Sequence, residues 1–231
     1  VAKQPMVGRW QEPVADVAVT SSGFNTYEGE ASSMGEKSPV ALISPAASAR
    51  LADAESLTNL ISADIESLRR VVLSANWMAA AGSNNEDQAL YDAVYAVGKE
   101  FCPALGIAIP VGKDSLSMKT HWRDGEQDRV VVSPLTLIAS AFAPVSDVRK
   151  TVDPVLVDDS ESVLLLIHLG LSRLGGSALA QVYGQIGNEC PDVDEVKSFK
   201  QMLDWVLEIK KSGLILSMHD RSDGGVLVSI L

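Results

Sequence analysis

Cysteine is scarce in this sequence: Cys102 and Cys190 are the two present, with no CxxC pair. That excludes a thiolate zinc site, which needs closely spaced cysteines. Two isolated thiols suit a reducing compartment, so a cytoplasmic location is expected, with a single bridge between them as the alternative. Histidine is nearly as rare, at three residues. No G-x-S-x-G elbow occurs, and neither cysteine stands in a nucleophile setting, so Ser–His or Cys–His hydrolysis is not indicated. Aromatic residues make up 5%, and Trp10, Trp77, Trp122 and Trp205 are scattered without interleaved basic residues, which argues against base stacking. Basic residues number 19 against 30 acidic ones, for a net charge of -11. No nucleic-acid partner is expected, because phosphate contacts need clustered Lys and Arg. A local anion site bridged by a divalent cation remains compatible with that charge. No apolar run approaches the roughly 18 residues of a membrane helix, and residues 1–11 have no continuous apolar core of a signal peptide.

What is present is a soluble, globular balance: 46% hydrophobic and 21% charged residues over 231 positions. That length suggests one and a half to two domains, able to bury a core without a disulfide or metal staple. The sequence opens on Val1 and closes on the apolar run VLVSIL at 226–231. Such a run needs burial against something, so a piece of a longer polypeptide is expected.

Patterning gives an α/β class of the α+β type, with a first domain over 1–150 and a second over 151–231. Residues 14–20 read as a buried strand, 23–35 as an exposed Gly/Ser/Asn-rich loop and 39–44 as a short strand. Residues 45–64 read as a helix, with Ala46, Ala49, Ala54, Leu57, Ile61 and Ile65 at helical spacing. Further strands are expected at 68–74, 105–109, 115–122 and 130–142, and a helix at 85–101. Residues 144–154 read as a linker. Beyond it come a buried strand at 163–169, helices at 177–186 and 193–211, a strand at 214–218 and the start of a helix after 225.

Four places carry chemistry. The run HDRSDGG at 219–225 leaves an expected strand and precedes an apolar run. Ligands gather at the carboxyl ends of strands in α/β sheets, and two aspartates, a serine and two glycines there suit a metal and a phosphate. A tight turn with a helix cap is the alternative, although a cap needs neither His219 nor a second aspartate. Asp16 interrupts an apolar run, and a buried carboxylate requires a cation or donor partner; Arg9 and Arg50 are structural alternatives to a metal. Glu55 and Asn59 lie four apart, hence on one helix face. They offer hard oxygens that suit Mg²⁺, or else form a solvated face. VGKDS at 111–115 fails as a P-loop: five residues separate Gly106 from Gly112, and Asp114 follows Lys113. A strand-to-strand turn with an exposed lysine is the better reading.

Six segments fall in one order along almost the whole chain: PVADVAVT (13–20), LSANWMAAAG (73–82), LYDAV (90–94), PVGKDSLSMKT (110–120), SPLTLIASAFA (133–143) and MHDRSDGG (218–225). Together they resemble the synthetase region of the large-type formylglycinamide ribonucleotide amidotransferases. That region consists of two halves similar to aminoimidazole ribonucleotide synthetase, each with two α/β domains. This chain resembles the N-terminal domain of the second half plus part of its C-terminal domain. PVGKDSLSM and ANWMAAAG argue against aminoimidazole ribonucleotide synthetase itself or selenophosphate synthetase.

The resemblance implies ATP-dependent conversion of formylglycinamide ribonucleotide to its amidine, with ammonia from a separate glutaminase domain that nothing here resembles. It implies ATP or ADP and Mg²⁺ as ligands. Asp16, Glu55, Asn59 and Asp220 match metal positions of the family, and Ala15 and Ser222 match nucleotide contacts. These match an auxiliary site that holds ADP in a structural role, so a structural nucleotide-binding module is the alternative to a part in turnover.

Overall fold

The computed structural model describes residues 2–12, 14–221 and 223–230. It is mixed α/β, as expected. Five strands form the main sheet: β1 (Ala18–Ser21), β2 (Gly29–Glu36), β3 (Val72–Met78), β4 (Ala108–Ser115) and β7 (Thr136–Val145), in the order β1-β2-β7-β3-β4. All neighbours pair antiparallel except β3 and β4. That parallel pair requires a crossover, supplied by α3 (Glu86–Tyr95), a π-helical turn (Ala96–Phe101) and α4 (Cys102–Leu105). Strands β5 (Lys119–Asp124) and β6 (Gln127–Val132) form a separate exposed hairpin.

Helix α1 (Ser38–Ala41) leads into α2 (Pro45–Leu60), which lies across β2 and β7. Ser44 caps α2, its hydroxyl accepting from the Ala47 N–H at 3.3 Å, and Pro45 fits the first helical turn, where no N–H is required. Alternation along β2 and β7 puts Ala31, Ser33, Leu137, Ala139, Ala141 and Ala143 under α2 and its neighbours. The opposite face of the sheet exposes Met34, Val72 and Phe142.

Beyond β7 come α5 (Ala178–Val182), α6 (Val196–Lys211) and α7 (Val226–Ile230). Phe199, Leu203, Val206 and Leu207 of α6 are buried in the same core as α2 and the main sheet, and the rings of Phe199 and Phe101 lie 6.0 Å apart. Polar anchors reinforce this packing. Arg50 binds Asp192 through two hydrogen bonds of 2.8 and 2.6 Å. Lys200 donates to the Leu105 carbonyl at 2.9 Å. Lys210 donates to the carbonyls of Ile61 and Ala63, just past α2, where a cation complements the helix dipole.

Several local expectations are corrected. Residues 29–36 are a strand, not a loop: a Cβ on Gly35 would sit 2.2 Å from the Ala52 carbonyl and one on Gly29 2.2 Å from the Thr20 carbonyl. The small residues that suggest a loop are the price of close packing. Residues 38–41 are helical rather than extended. β1 begins at Ala18, which leaves Asp16 in a bend before the strand instead of within it. Lys113 lies inside β4, not in a turn, and Ser133-Pro134 splits the expected 130–142 strand into β6 and β7. Residues 163–169 and 214–218 are not strands; Val163 is 88% exposed. Apolar composition makes a strand only where a neighbouring strand meets its backbone groups, and no strand pairs with these segments among the described residues. Both cysteines are free thiols. No described helix is long and apolar enough to cross a membrane.

Candidate functional site

The antiparallel ladder between β1 and β2 ends at the pair Ala18↔Ser32. Upstream of Ala18 the chain bends away, so among the described residues the β1-facing edge of β2 beyond Ser32 has no strand partner. Helix α2 takes over those backbone groups. Asn59 Nδ2 donates to the Met34 carbonyl at 3.0 Å, and the Glu36 N–H donates to Glu55 Oε2 at 2.8 Å. Extending the ladder two residues would set Asp16 opposite Met34, the residue held by Asn59. The gap in the sheet edge thus brings Asp16, Glu55 and Asn59 together.

The fourth wall comes from far along the chain. Residues 217 and 218 are tied to 153–155, with the Met218 N–H donating to the Asp153 carbonyl at 3.1 Å and Ser217 Oγ to the Val155 carbonyl at 2.5 Å. This carries His219 and Asp220 to the bend at Asp16. Val14, Ala15, Asp16, Glu55, Asn59, His219 and Asp220 line one open cavity of ≈160 Å³.

Its electrostatics are those of a site short of positive charge. The Asp16 side chain is 3% exposed. Its Oδ1 lies 2.6 Å from His219 Nδ1, while Oδ2 is buried with no hydrogen-bond partner among the described residues. Asn59 Oδ1 is likewise buried and unpartnered. Burial raises the Asp16 pKa above the ordinary carboxylate value, against the pull of the His219 hydrogen bond and charge. Burial also raises Glu55, opposed by Lys37 and by the Glu36 amide. The hydrogen bond to Asp16, and then the charges of Asp16 and Asp220, raise His219 above its usual value. Lys37 bridges Glu55 Oε1 at 3.0 Å and Asp223 Oδ1 at 3.5 Å.

These residues fit a hard divalent cation. Asp16, His219 and Asp220 each place a ligating atom within 4.8 Å of one another. Asp16 Oδ2 and Asn59 Oδ1 find no donor among the described residues; Asp53 Oδ1, Asn76 Oδ1 and Glu86 Oε2 share that condition elsewhere, but Asp16 and Asn59 share a cavity with further carboxylates. An ion ligated by oxygens would satisfy both. Asp16, Glu55, Asn59, Asp220 and Ala15 therefore share one cavity, and Ser222 lies outside the described residues. Arg9 and Arg50 do not partner Asp16; Arg50 is engaged by Asp192. Sequence reading missed the Asp16–His219 pairing and missed Lys37 altogether. His219 carried one signal, as a residue that a helix cap does not need. Lys37 carried none, since its importance comes from a helix and a loop that only the fold places beside it.

Known proteins give the setting. Residues 1–144 match the FGAR-AT PurM_N-like domain and residues 164–231 the C-terminal domain of AIR synthase related proteins. A solved structure of Thermotoga maritima PurL complexed with FGAR aligns at a TM-score of 0.60 and 13% identity, over 94% of this chain and 32% of that one. PurL of the same organism complexed with ADP aligns at 0.57 and 12%, over 94% and 30%. PurLQS from Thermotoga maritima aligns at 0.56 and 14%, over 92% and 30%. At such identities the likeness is one of fold, and the chain spans about a third of the length of these relatives. With the first of the two domain matches covering 1–144 of its 231 residues, the chain belongs to the FGAR-AT PurM_N-like family, joined to an AIR-synthase-related C-terminal domain.

Proposed function

We propose that this chain is a piece of a large-type, ATP-dependent carbon–nitrogen ligase of purine biosynthesis and supplies it with a magnesium–nucleotide site. The parent reaction consumes formylglycinamide ribonucleotide, glutamine, ATP and water and yields formylglycinamidine ribonucleotide, glutamate, ADP and phosphate. Its other participants are the remaining synthetase domains and a glutaminase domain that releases ammonia. The ligands in the relatives' names, FGAR and ADP, support this substrate and nucleotide class.

The observation that carries the reading is the pair of buried, unpartnered oxygens on Asp16 and Asn59 in a cavity shared with Glu55 and Asp220. Three carboxylates and one amide oxygen form a hard-ligand set. Mg²⁺ bound there would neutralise nucleotide phosphates and let a chain of net charge -11 hold a polyanion. His219 keeps Asp16 in place. Ala15, small and beside Asp16, leaves the nucleotide room at the backbone, and Ser222 is assigned a nucleotide contact.

A structural role is the second reading, favoured by the placement of the cavity. It joins the bend at Asp16, helix α2 and the loop at 219–220, so a bound nucleotide would brace three distant segments and stabilise the fold by linkage. Calorimetric titration with ADP, with and without Mg²⁺, tests the site: binding should need Mg²⁺ and be lost in Glu55→Gln and Asp220→Asn. Mg²⁺-independent binding, or binding that survives both substitutions, would refute it. In the parent enzyme Asp16→Asn separates the two readings, abolishing turnover if the site is catalytic and mainly lowering Tm if it is structural.

A further inference from the structure

Glu55 differs from its neighbours in the cavity. Asp16 and Asn59 each keep a buried oxygen without a partner. Both oxygens of Glu55 are taken, Oε1 by the Lys37 ammonium at 3.0 Å and Oε2 by the Glu36 N–H at 2.8 Å. The Lys37 side chain is 25% exposed, and its second carboxylate neighbour is Asp223, with Oδ1 at 3.5 Å on a side chain that is 85% exposed. One ammonium thus stands between a half-buried carboxylate inside the site and a solvated one at its rim.

We infer that Lys37 is the resident cation of this site: it holds Glu55 while no divalent ion is bound and passes to Asp223 when one enters. The inference rests on the reading of Glu55 as a metal ligand. A divalent ion at Glu55 would face the ammonium across a single carboxylate, and like charges that close repel strongly where solvent is sparse. Something must yield, and the structure shows which part is free to do so. The Lys37 backbone is fixed, its carbonyl accepting from Ser48 Oγ at 2.7 Å and from the Val40 N–H at 3.1 Å. The side chain has four rotatable bonds and a second anion already within reach. The ammonium also offsets the burial of Glu55 in the empty site, since a half-buried carboxylate without a counter-ion would be costly. Metal affinity is therefore set partly by an internal competitor, and bound metal should leave Lys37 at the rim.

Titrating this chain with Mn²⁺ or Mg²⁺ alone, without nucleotide, tests the exchange. Lys37→Met should bind the ion about tenfold more tightly, because the competing charge is gone. Asp223→Asn should weaken binding while Lys37 is present and change nothing in a Lys37→Met background. Unchanged or weaker binding by Lys37→Met would make Lys37 a structural partner only and overturn the inference. Equal effects of Asp223→Asn in both backgrounds would overturn the hand-over. If the parent chain binds the ion but Glu55→Gln binds it equally well, the ligand reading of Glu55 fails, and this inference with it. Should Lys37→Met not fold, judged by circular dichroism, Lys37→Gln carries the same expectations.

Discussion

His219 Nδ1 lies 2.6 Å from Asp16 Oδ1 across a separation of 203 residues, and it leaves Oδ2 of the same carboxylate buried and unpartnered. One oxygen is held so that the other stays available. Residues that orient a ligand commonly contribute about 10–100-fold to metal affinity. His219→Ala should therefore weaken Mg²⁺-dependent ADP binding by about tenfold, and His219→Gln, which keeps a donor, should recover part of the loss. Calorimetry on the three proteins decides it, and equal affinities would remove His219 from the site. The pair also sets a pH dependence. Its hydrogen bond to Asp16 raises His219 above its ordinary value. The stability this contributes is fully present below about pH 6.5 and is lost as pH rises through the higher, folded value. His219→Gln should remove that loss from thermal melts.

Asp53, on α2 two residues before Glu55, gives a second pH effect. It is fully buried on α2; among the described residues its Oδ1 has no partner, and Oδ2 accepts from the Cys102 thiol at 3.4 Å. Burial raises its pKa to about 7, with the Cys102 hydrogen bond pulling the other way. The folded protein therefore holds a proton that the unfolded chain has released. Stability is greatest at or below the unfolded value near pH 4 and falls as pH rises toward 7, by a few kcal/mol at most. Asp53→Asn should flatten this decline, so that melts between pH 5 and 8 converge. A slope that persists in the variant would assign it to other groups.

Gly35 lies where α2 meets the edge of β2, and a Cβ there would meet the Ala52 carbonyl at 2.2 Å and the Ser56 nitrogen at 2.6 Å. Both contacts are backbone, so neither can swing aside. Gly35→Ala should cost about 1–3 kcal/mol by overpacking. It should also weaken Mg²⁺-dependent nucleotide binding, because relief of the clash moves the helix that carries Glu55 and Asn59. Urea denaturation and calorimetry on one preparation check both. Lost stability with unchanged binding would separate the strand from the site.

The same residue shows what the sequence could disclose. Helices α2 and α6 were legible because their apolar residues recur at helical spacing, and the α/β class followed from the alternation of segments. Strand β2 was not. Its inward positions are Gly29, Ala31, Ser33 and Gly35, which local chemistry assigns to a loop and close packing assigns to a strand. Residues 163–169 fail in the opposite direction, since strand composition cannot supply the missing pairing partner. In the site, Asp16 stood out as a charge among apolar residues, and Glu55 and Asn59 by their spacing. Their convergence was implied by the family resemblance alone; local chemistry could not disclose it, because it depends on where β1 stops.

Arg50 and Asp192 join α2 to the segment before α6 through two parallel hydrogen bonds of 2.8 and 2.6 Å, with both side chains about one-fifth exposed. Geometry of this kind lifts an ion pair above the ordinary surface value. Glu100 adds little, at 3.7 Å and more than half exposed. A double-mutant cycle with Arg50→Ala and Asp192→Ala, read by urea denaturation, should give a coupling energy of about 1–3 kcal/mol. Arg50→Lys should not restore it, since an ammonium cannot make both bonds of the guanidinium fork. Full rescue by lysine would reduce the contact to simple charge attraction. A coupling near zero would leave the apolar face of α6, through Phe199, Leu203, Val206 and Leu207, together with the Lys200 and Lys210 hydrogen bonds, to hold this part of the chain against the sheet.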